Sequence, residues 1–208
     1  MMRSYPGEDP RLRAAGTRAA VTAMRSGRLV IAPADSHYAV VADAFSTHGV
    51  DRLRDARRIS QHSAVPVFID RRTTMHALWG RVPREAELLA RAFWPGPLTL
   101  IGRPQLSLAW SAGVKDAVAL RMPLHPWMLQ LVAALGPIAS TGAQTPGEPL
   151  PVELASCDST SVSIGLDAGT LPGGPNSTVV DLRRGLDILR VGAISSEDIR
   201  ACVRRADT

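Results

Sequence analysis

"PRLRAAGTRAAVTAMRSGRLVIAPADSHYAV", residues 10–40, decides the class of the fold. Residues 10 to 26 carry apolar side chains at helical spacing, and Gly27 stands where a helix C-terminus wants a residue free of Cβ strain. The run Leu29-Val30-Ile31-Ala32 follows at once and stops at Pro33, which reads as a short buried strand. A helix feeding directly into a buried strand predicts an α/β chain. The strand then releases Asp35, Ser36, His37 and Tyr38 within four positions. Strand ends are where open α/β sheets hold ligands, so this polar burst marks a candidate site.

The alternation continues outward. Helices are predicted over residues 46–58, with Val50 and Leu53 inward, over 83–93, 125–135 and 195–205. Strands are predicted over 64–69, 96–102, 116–122, 136–141, 161–167, 177–182 and 187–191. Ser195 or Ser196 can cap the last helix, and Glu197 and Asp198 in its first turn suit the helix dipole. Helices alternate with strands early and strands dominate late, so the sheet is expected to be mixed and flanked by helices. The 208 residues suffice for one domain,. Residues 1–9 are expected to be a flexible arm and residues 10–205 a single domain.

Two cysteines, Cys157 and Cys202, form no CxxC or Cys/His pattern, which argues against a disulfide scaffold or structural zinc and agrees with a reducing cytoplasm,. No apolar run approaches the roughly 20 residues of a membrane span, so no membrane association is expected. The net charge is +5, and Lys115 is the one lysine against 23 arginines. That excess has two explanations: arginine standing in for lysine on a solvated surface, or a face that binds phosphate, whose oxygens match the guanidinium fork.

Further polar sets follow the other strands: Arg121 with His125, Ser140-Thr141-Gly142, Asn176-Ser177-Thr178, and Arg190. Singly, hydroxyls after a strand are ordinary turn residues. Together, hydroxyls and arginines predict an anionic ligand held by charge-assisted bonds. No GxSxG elbow, Walker GxxxxGK[ST], HExxH or GxGxxG is present, and His37, His62 and His125 match no metal-ligand spacing.

Four ordered segments resemble one family. "APADSHYAVVAD" resembles "PTDTVYGLxxD", and "FWPGPLTLI" is similar to "WPGPLTLxL". "RMPLHPWMLQLVAALGPIASTGAQTPGEP" resembles "RxPxHPxxxxLL…GPlaaTSANxSGxP", and "NSTVVDL…ILRVGAI" resembles "STVVDL…iLRxGai". The chain is thereby identified as a member of the YrdC-like family of L-threonylcarbamoyl-adenylate synthases. The resemblance implies a twisted, mostly parallel sheet around a concave, positively charged groove. It implies condensation of L-threonine, bicarbonate and ATP with release of pyrophosphate, feeding the threonylcarbamoyladenosine modification of tRNA. Mg²⁺ would arrive on ATP, held by phosphate and water without a dedicated protein site. Contact with tRNA and with partner proteins of tRNA modification is implied as well.

On the matched positions, Ser36, Tyr38, His62, Arg121 and Ser177 would hold threonine. Arg57, Arg58, Ser140, Thr141, Thr178 and Arg190 would hold the nucleotide, and Arg58 and Arg121 would be catalytic. The chain departs from the family pattern at Ala34 and Ala39, at Gly142 and Gln144 within the "TSAN" segment, and at Pro146. Its "KxR" segment reads "ARRISQHSAVPVFI" and has no lysine. One register puts Arg58 at the family arginine, Ala56 at the lysine and His62 at a second basic position; the other makes Arg57 the lysine substitute. "DSHYAV", "QHSAV" and "STGAQTPG" are closer to YciO-type paralogues. They imply the alternative function of a nucleotide- or double-stranded-RNA-binding module without this turnover, with Arg52, Arg54, Arg57 and Arg58 as its basic face.

Overall fold

The computed structural model describes residues 2–107, 112–114 and 116–205; Lys115 lies outside them. Helix α1 (Pro10–Arg25) starts where Asp9 accepts from the Arg11 and Leu12 amides, with Pro10 in its first turn. Proline costs nothing there, because the amide it lacks has no intrahelical partner. The helix stops at Ser26, and Gly27 turns the chain at φ 70°. Strand β2 (Leu29–Pro33) follows. Helices α2 (Thr47–Arg57), α3 (Thr74–Leu78), α4 (Arg84–Phe93), α5 (Pro126–Leu135) and α6 (Ser196–Arg204) complete the helical set. Ser46 and Ser195 cap α2 and α6 through their hydroxyls.

The remaining strands are β1 (Arg3–Pro6), β3 (Tyr38–Asp43), β4 (Val67–Phe68), β5 (Leu98–Gly102), β6 (Val118–Arg121), β7 (Ile138–Gly142), β8 (Val162–Asp167), β9 (Thr178–Asp181) and β10 (Asp187–Arg190). All ten form one sheet in the order β1-β8-β2-β3-β7-β4-β6-β5-β9-β10. Four neighbouring pairs are parallel and five antiparallel. The sheet is therefore mixed, as the element pattern predicts, and not mostly parallel.

Two further expectations are corrected. Residues 3–6 are no flexible arm: they add a parallel edge strand on β8, and Tyr5 is buried against α1. A strand that the sequence reading does not include follows Asp35. From Tyr38 the chain returns as β3, antiparallel to β2, because Tyr38, Val40 and Ala42 face one apolar layer while Ala39 and Val41 face another. The strand predicted over 64–69 shrinks to Val67–Phe68.

Side-chain alternation divides the core in two. Leu29, Ile31, Val40, Val67, Leu98, Leu100, Leu120 and Val180 point to the face covered by α2, α4 and α6, where Val50, Leu53, Leu89 and Ile199 meet them. Val30, Ala32, Val41, Phe68 and Ile138 point to the opposite face, where α1 and α5 supply Ala20, Met24, Met128 and Leu131. Those two helices cover only part of that face. Over β6, β5 and β9 the residues of the same phase — Ala119, Arg121, Thr99, Ile101, Ser177 and Val179 — line an open hollow instead.

Candidate functional site

The hollow is a cleft of about 640 Å³ floored by the sheet. Ser36, Tyr38, His62, Arg121, Ser140, Thr141, Ser177 and Arg190, predicted from six separate segments, all line it. The fold brings them together because most of them end, precede or follow a strand beside the cleft, while His62 comes from the turn between α2 and β4.

Asp35 organises one end. Its carboxylate accepts from Arg121 Nη2 and from the backbone amides of Leu124 and His125, fixing the turn that enters α5. Arg121 also donates through Nε to the Gly96 carbonyl (3.2 Å). Beside this pair, Ser36 Oγ and His37 Nδ1 lie 2.9 Å apart. Burial, and then the Arg121 charge, hold the His37 imidazole below its ordinary range, so the ring is neutral at pH 7,.

The other wall is held by Arg190. Along β10 the register shifts between Ile188 and Arg190: Ile188 faces Val180, and Arg190 already faces Val179. This bulge turns Arg190 to the cleft phase, as an inserted residue does to the strand that carries it. Arg190 donates to the Ser177 carbonyl and to Ser177 Oγ, both at 3.1 Å, and Ser177 Oγ also bonds Thr99 Oγ1 (3.0 Å). Burial, and then Arg121, lower the proton affinity of Arg190. Two guanidinium groups thus line the same cleft, and of this pair Arg121 is the one bonded to Asp35. The arrangement favours an anion between them.

Four predicted contacts fall elsewhere. Arg58 is exposed, in the left-handed conformation that ends α2, and does not line the cleft. Arg57 does not line it either; its guanidinium grips Asp158. Thr178 is fully buried: its hydroxyl donates to the Ile194 carbonyl (2.6 Å) and accepts from the amides of Gly192 and Ile194, tying the chain after β10 to β9. Tyr38 borders the cleft, but it is 1% exposed, and its hydroxyl donates to the Gly169 carbonyl and accepts from the Ala168 amide. Burial above all pushes that phenol up to about 12, so it neither titrates nor offers itself to a ligand.

Other lining residues were not assigned from the sequence. Arg183, directly after β9, reaches the cleft wall but is already bonded to Asp181 and to Asp116. Thr99 and Gln144 also line it, as does Asn176, which the sequence places in a polar set with Ser177 and Thr178. The Gln144 Oε1 atom is buried and has no hydrogen-bond partner in the structure. Its signal in the sequence was the changed "TSAN" segment, where Gly142 and Gln144 replace serine and asparagine. A Cβ on Gly142 would lie 2.1 Å from Gln144 Oε1 and 2.4 Å from Leu150 Cδ2. The glycine therefore makes the room that the longer amide occupies.

Among the described residues no group of three or more histidine, cysteine, aspartate or glutamate side chains is placed to hold a metal ion. No helix among them is long and apolar enough to cross a membrane.

The family model for Sua5, YciO and YrdC, described as "Telomere recombination", matches residues 22–192. A protein of Mycobacterium tuberculosis (strain H37Rv), provisionally named a threonylcarbamoyl-AMP synthase, is 36% identical over 204 residues, covering 96% of this chain and 94% of its own length. The crystal structure of P. abyssi Sua5 complexed with L-threonine is 28% identical with a TM-score of 0.85; the match covers 98% of this chain and 61% of that one. E. coli YciO shares the fold at 20% identity and a TM-score of 0.80, over 96% and 98% of the two chains. The chain spans about 61% of the length of the Sua5 structure it matches, and nearly all of YciO.

Proposed function

The chain belongs to the Sua5, YciO and YrdC family, and from that membership we propose that its cleft joins L-threonine, bicarbonate and ATP. The products are threonylcarbamoyl-AMP, pyrophosphate and water. Threonylcarbamoyl-AMP is the donor for the threonylcarbamoyladenosine modification of tRNA. The observation that carries this is the presence of Arg121 and Arg190 in one cleft with the hydroxyl residues Ser36, Thr99, Ser140, Thr141 and Ser177, in a family with a threonine-bound member.

The chemistry needs no protein nucleophile. The amine of threonine attacks the carbon of bicarbonate, water leaves, and the carbamate oxygen attacks the α-phosphorus of ATP as pyrophosphate departs. The protein's share is to hold two anions side by side and to neutralise the charge that develops between them. Arg121, set by Asp35, receives the threonine carboxylate, with Ser36 and Ser177 around it, whereas His62 lies on the turn that leads to Pro66, whose carbonyl accepts from Ser140 on the nucleotide side. Arg190, Ser140 and Thr141 face the nucleotide, and Gln144 Oε1 accepts an N–H from it. Mg²⁺, when bound with ATP, would supply charge neutralisation on the triphosphate. The cleft carboxylates Asp35 and Asp116 are bonded to Arg121 and Arg183, which supports an ion that would be held by phosphate and water. A cytoplasmic setting, where ATP and tRNA meet, suits this reaction.

The nucleic-acid-binding alternative is weakened. Of the four arginines expected to form its basic face, Arg54 and Arg57 turn inward, leaving Arg52 and Arg58 exposed. The test is pyrophosphate release from purified protein with ATP, bicarbonate and each amino acid in turn. Release that requires threonine is expected; salt-sensitive RNA binding with no release for any amino acid would replace the synthase with the binding module.

A further inference from the structure

We propose that Arg54 and Arg57 are positioning residues for the nucleotide end of the cleft, acting through two loops that they hold rather than by touching the ligand. This rests on the proposed reaction for the identity of the ligand. Both arginines rise from the last turns of α2, three positions apart, and so share one side of the helix. Arg54 is 2% exposed, and its Nη1 donates to the carbonyls of Ser60 (2.7 Å) and Ser63 (2.8 Å). Those carbonyls bracket the turn that delivers His62 and Ser63 to the cleft wall. The Arg57 side chain is 4% exposed. Its Nη1 donates to Asp158 Oδ2 and its Nη2 to the Asp158 carbonyl, each at 2.6 Å. The Asp158 amide in turn donates to the Ala143 carbonyl (2.8 Å). Arg57 therefore reaches, through one residue, the turn in which Gly142 and Gln144 line the cleft.

Burying two guanidinium groups beneath one helix is costly, and apolar side chains of similar volume would stabilise the same contact more simply. What the arginines add is direction. A planar fork fixes two acceptors at once, and an ammonium cannot reproduce that geometry. The two loops so fixed are the ones that bear the chain's departures at the nucleotide motifs. Arg57, which the sequence assigns to the nucleotide, and Arg54, which it assigns only to an RNA-binding face, instead set the walls of that subsite.

The test uses the full chain with Arg54→Met, Arg57→Met and the corresponding lysine variants. Calorimetry reads ATP and threonine affinity separately, and pyrophosphate release reads KM and kcat. In the methionine variants, the ATP Kd and KM are expected to rise at least about tenfold, while the threonine Kd and the kcat at saturating ATP change less than about threefold. The lysine variants should recover part of the ATP affinity. Unchanged ATP affinity in folded methionine variants would overturn the proposal, as would equal losses for both ligands that follow the fall in Tm. If the methionine variants do not fold, the lysine variants decide, because a purely structural role predicts no selective loss for ATP. A wild-type chain that binds ATP but releases no pyrophosphate would sink the proposed reaction and leave this inference standing on calorimetry; a wild type that binds no ATP would overturn both.

Discussion

Asp35 holds the proposed threonine end of the cleft together by accepting from one guanidinium and two backbone amides. Arg121→Ala would leave that carboxylate largely buried without its cation. A loss of about 1–3 kcal/mol in urea denaturation is expected, alongside a threonine Kd raised about tenfold or more. Stability equal to wild type would show that Asp35 is served by the amides alone. At the proposed nucleotide end, Gly142 and Gln144 are coupled by space: a side chain on Gly142 meets the Gln144 amide. Gly142→Ser alone is expected to weaken ATP binding about tenfold, and Gly142→Ser with Gln144→Asn to restore most of it. Additive losses in that double-mutant cycle would separate the two positions. His37 and His125 give a pH signature, since burial first of all lowers both imidazoles from 6.5. Between their folded values and 6.5 the unfolded chain binds more protons, so their contribution is complete above pH 6.5 and lost as pH falls through the folded values. Tm of the unliganded protein should be flat from pH 7 to about 8 and decline below about 6.5, and the decline should be shallower in His125→Asn. A Tm that rises on acidification would contradict this.

Among the elements, most helices and strands were legible because their periodicities were unambiguous. Helix α1 over Pro10–Arg25, α5 over Pro126–Leu135 and α6 over Ser196–Arg204 lie within two residues of expectation. Strand β3 was missed because its polar entrance, Asp35-Ser36-His37, masked an alternating strand behind it. Strand β1 was missed because a four-residue edge with one buried side chain, Tyr5, carries almost no pattern. The site was legible as a set of strand-end clusters, and eight predicted residues do converge. What motif matching could not supply was side-chain direction. Arg57, Arg58 and Thr178 occupy suggestive positions in the chain, but the last turn of α2 and the buried phase of β9 aim them away from the cleft. Thr178 is then a structural hydroxyl. Thr178→Val would strand the amides of Gly192 and Ile194 and is expected to cost about 2–4 kcal/mol, with Arg190-dependent ligand binding falling as the loop loosens. Denaturation midpoints that match the wild type would refute its role as the tie between β9 and the chain after β10.

For the molecule as a whole, the decisive feature is unequal coverage of one sheet. Helices α2, α4 and α6 pack on one face, while α1 and α5 cover only part of the other. The uncovered remainder keeps the pleat phase that elsewhere makes core, but there it bears Thr99, Arg121, Ser177 and Arg190 in place of an all-apolar layer. A cleft so built is rigid at its floor and adjustable at its loops, which suits a reaction that depends on placement more than on a reactive side chain. The most direct measurement is mass-spectrometric detection of threonylcarbamoyl-AMP from the purified chain with ATP, bicarbonate and L-threonine. The adenylate is expected to appear only when all three are present, and to fall about a hundredfold or more when Arg190 is replaced by alanine in a chain of unchanged Tm. Adenylate formed equally well by Arg190→Ala, or none formed by the wild type while it binds both ATP and threonine, would contradict the placement of the reaction in this cleft.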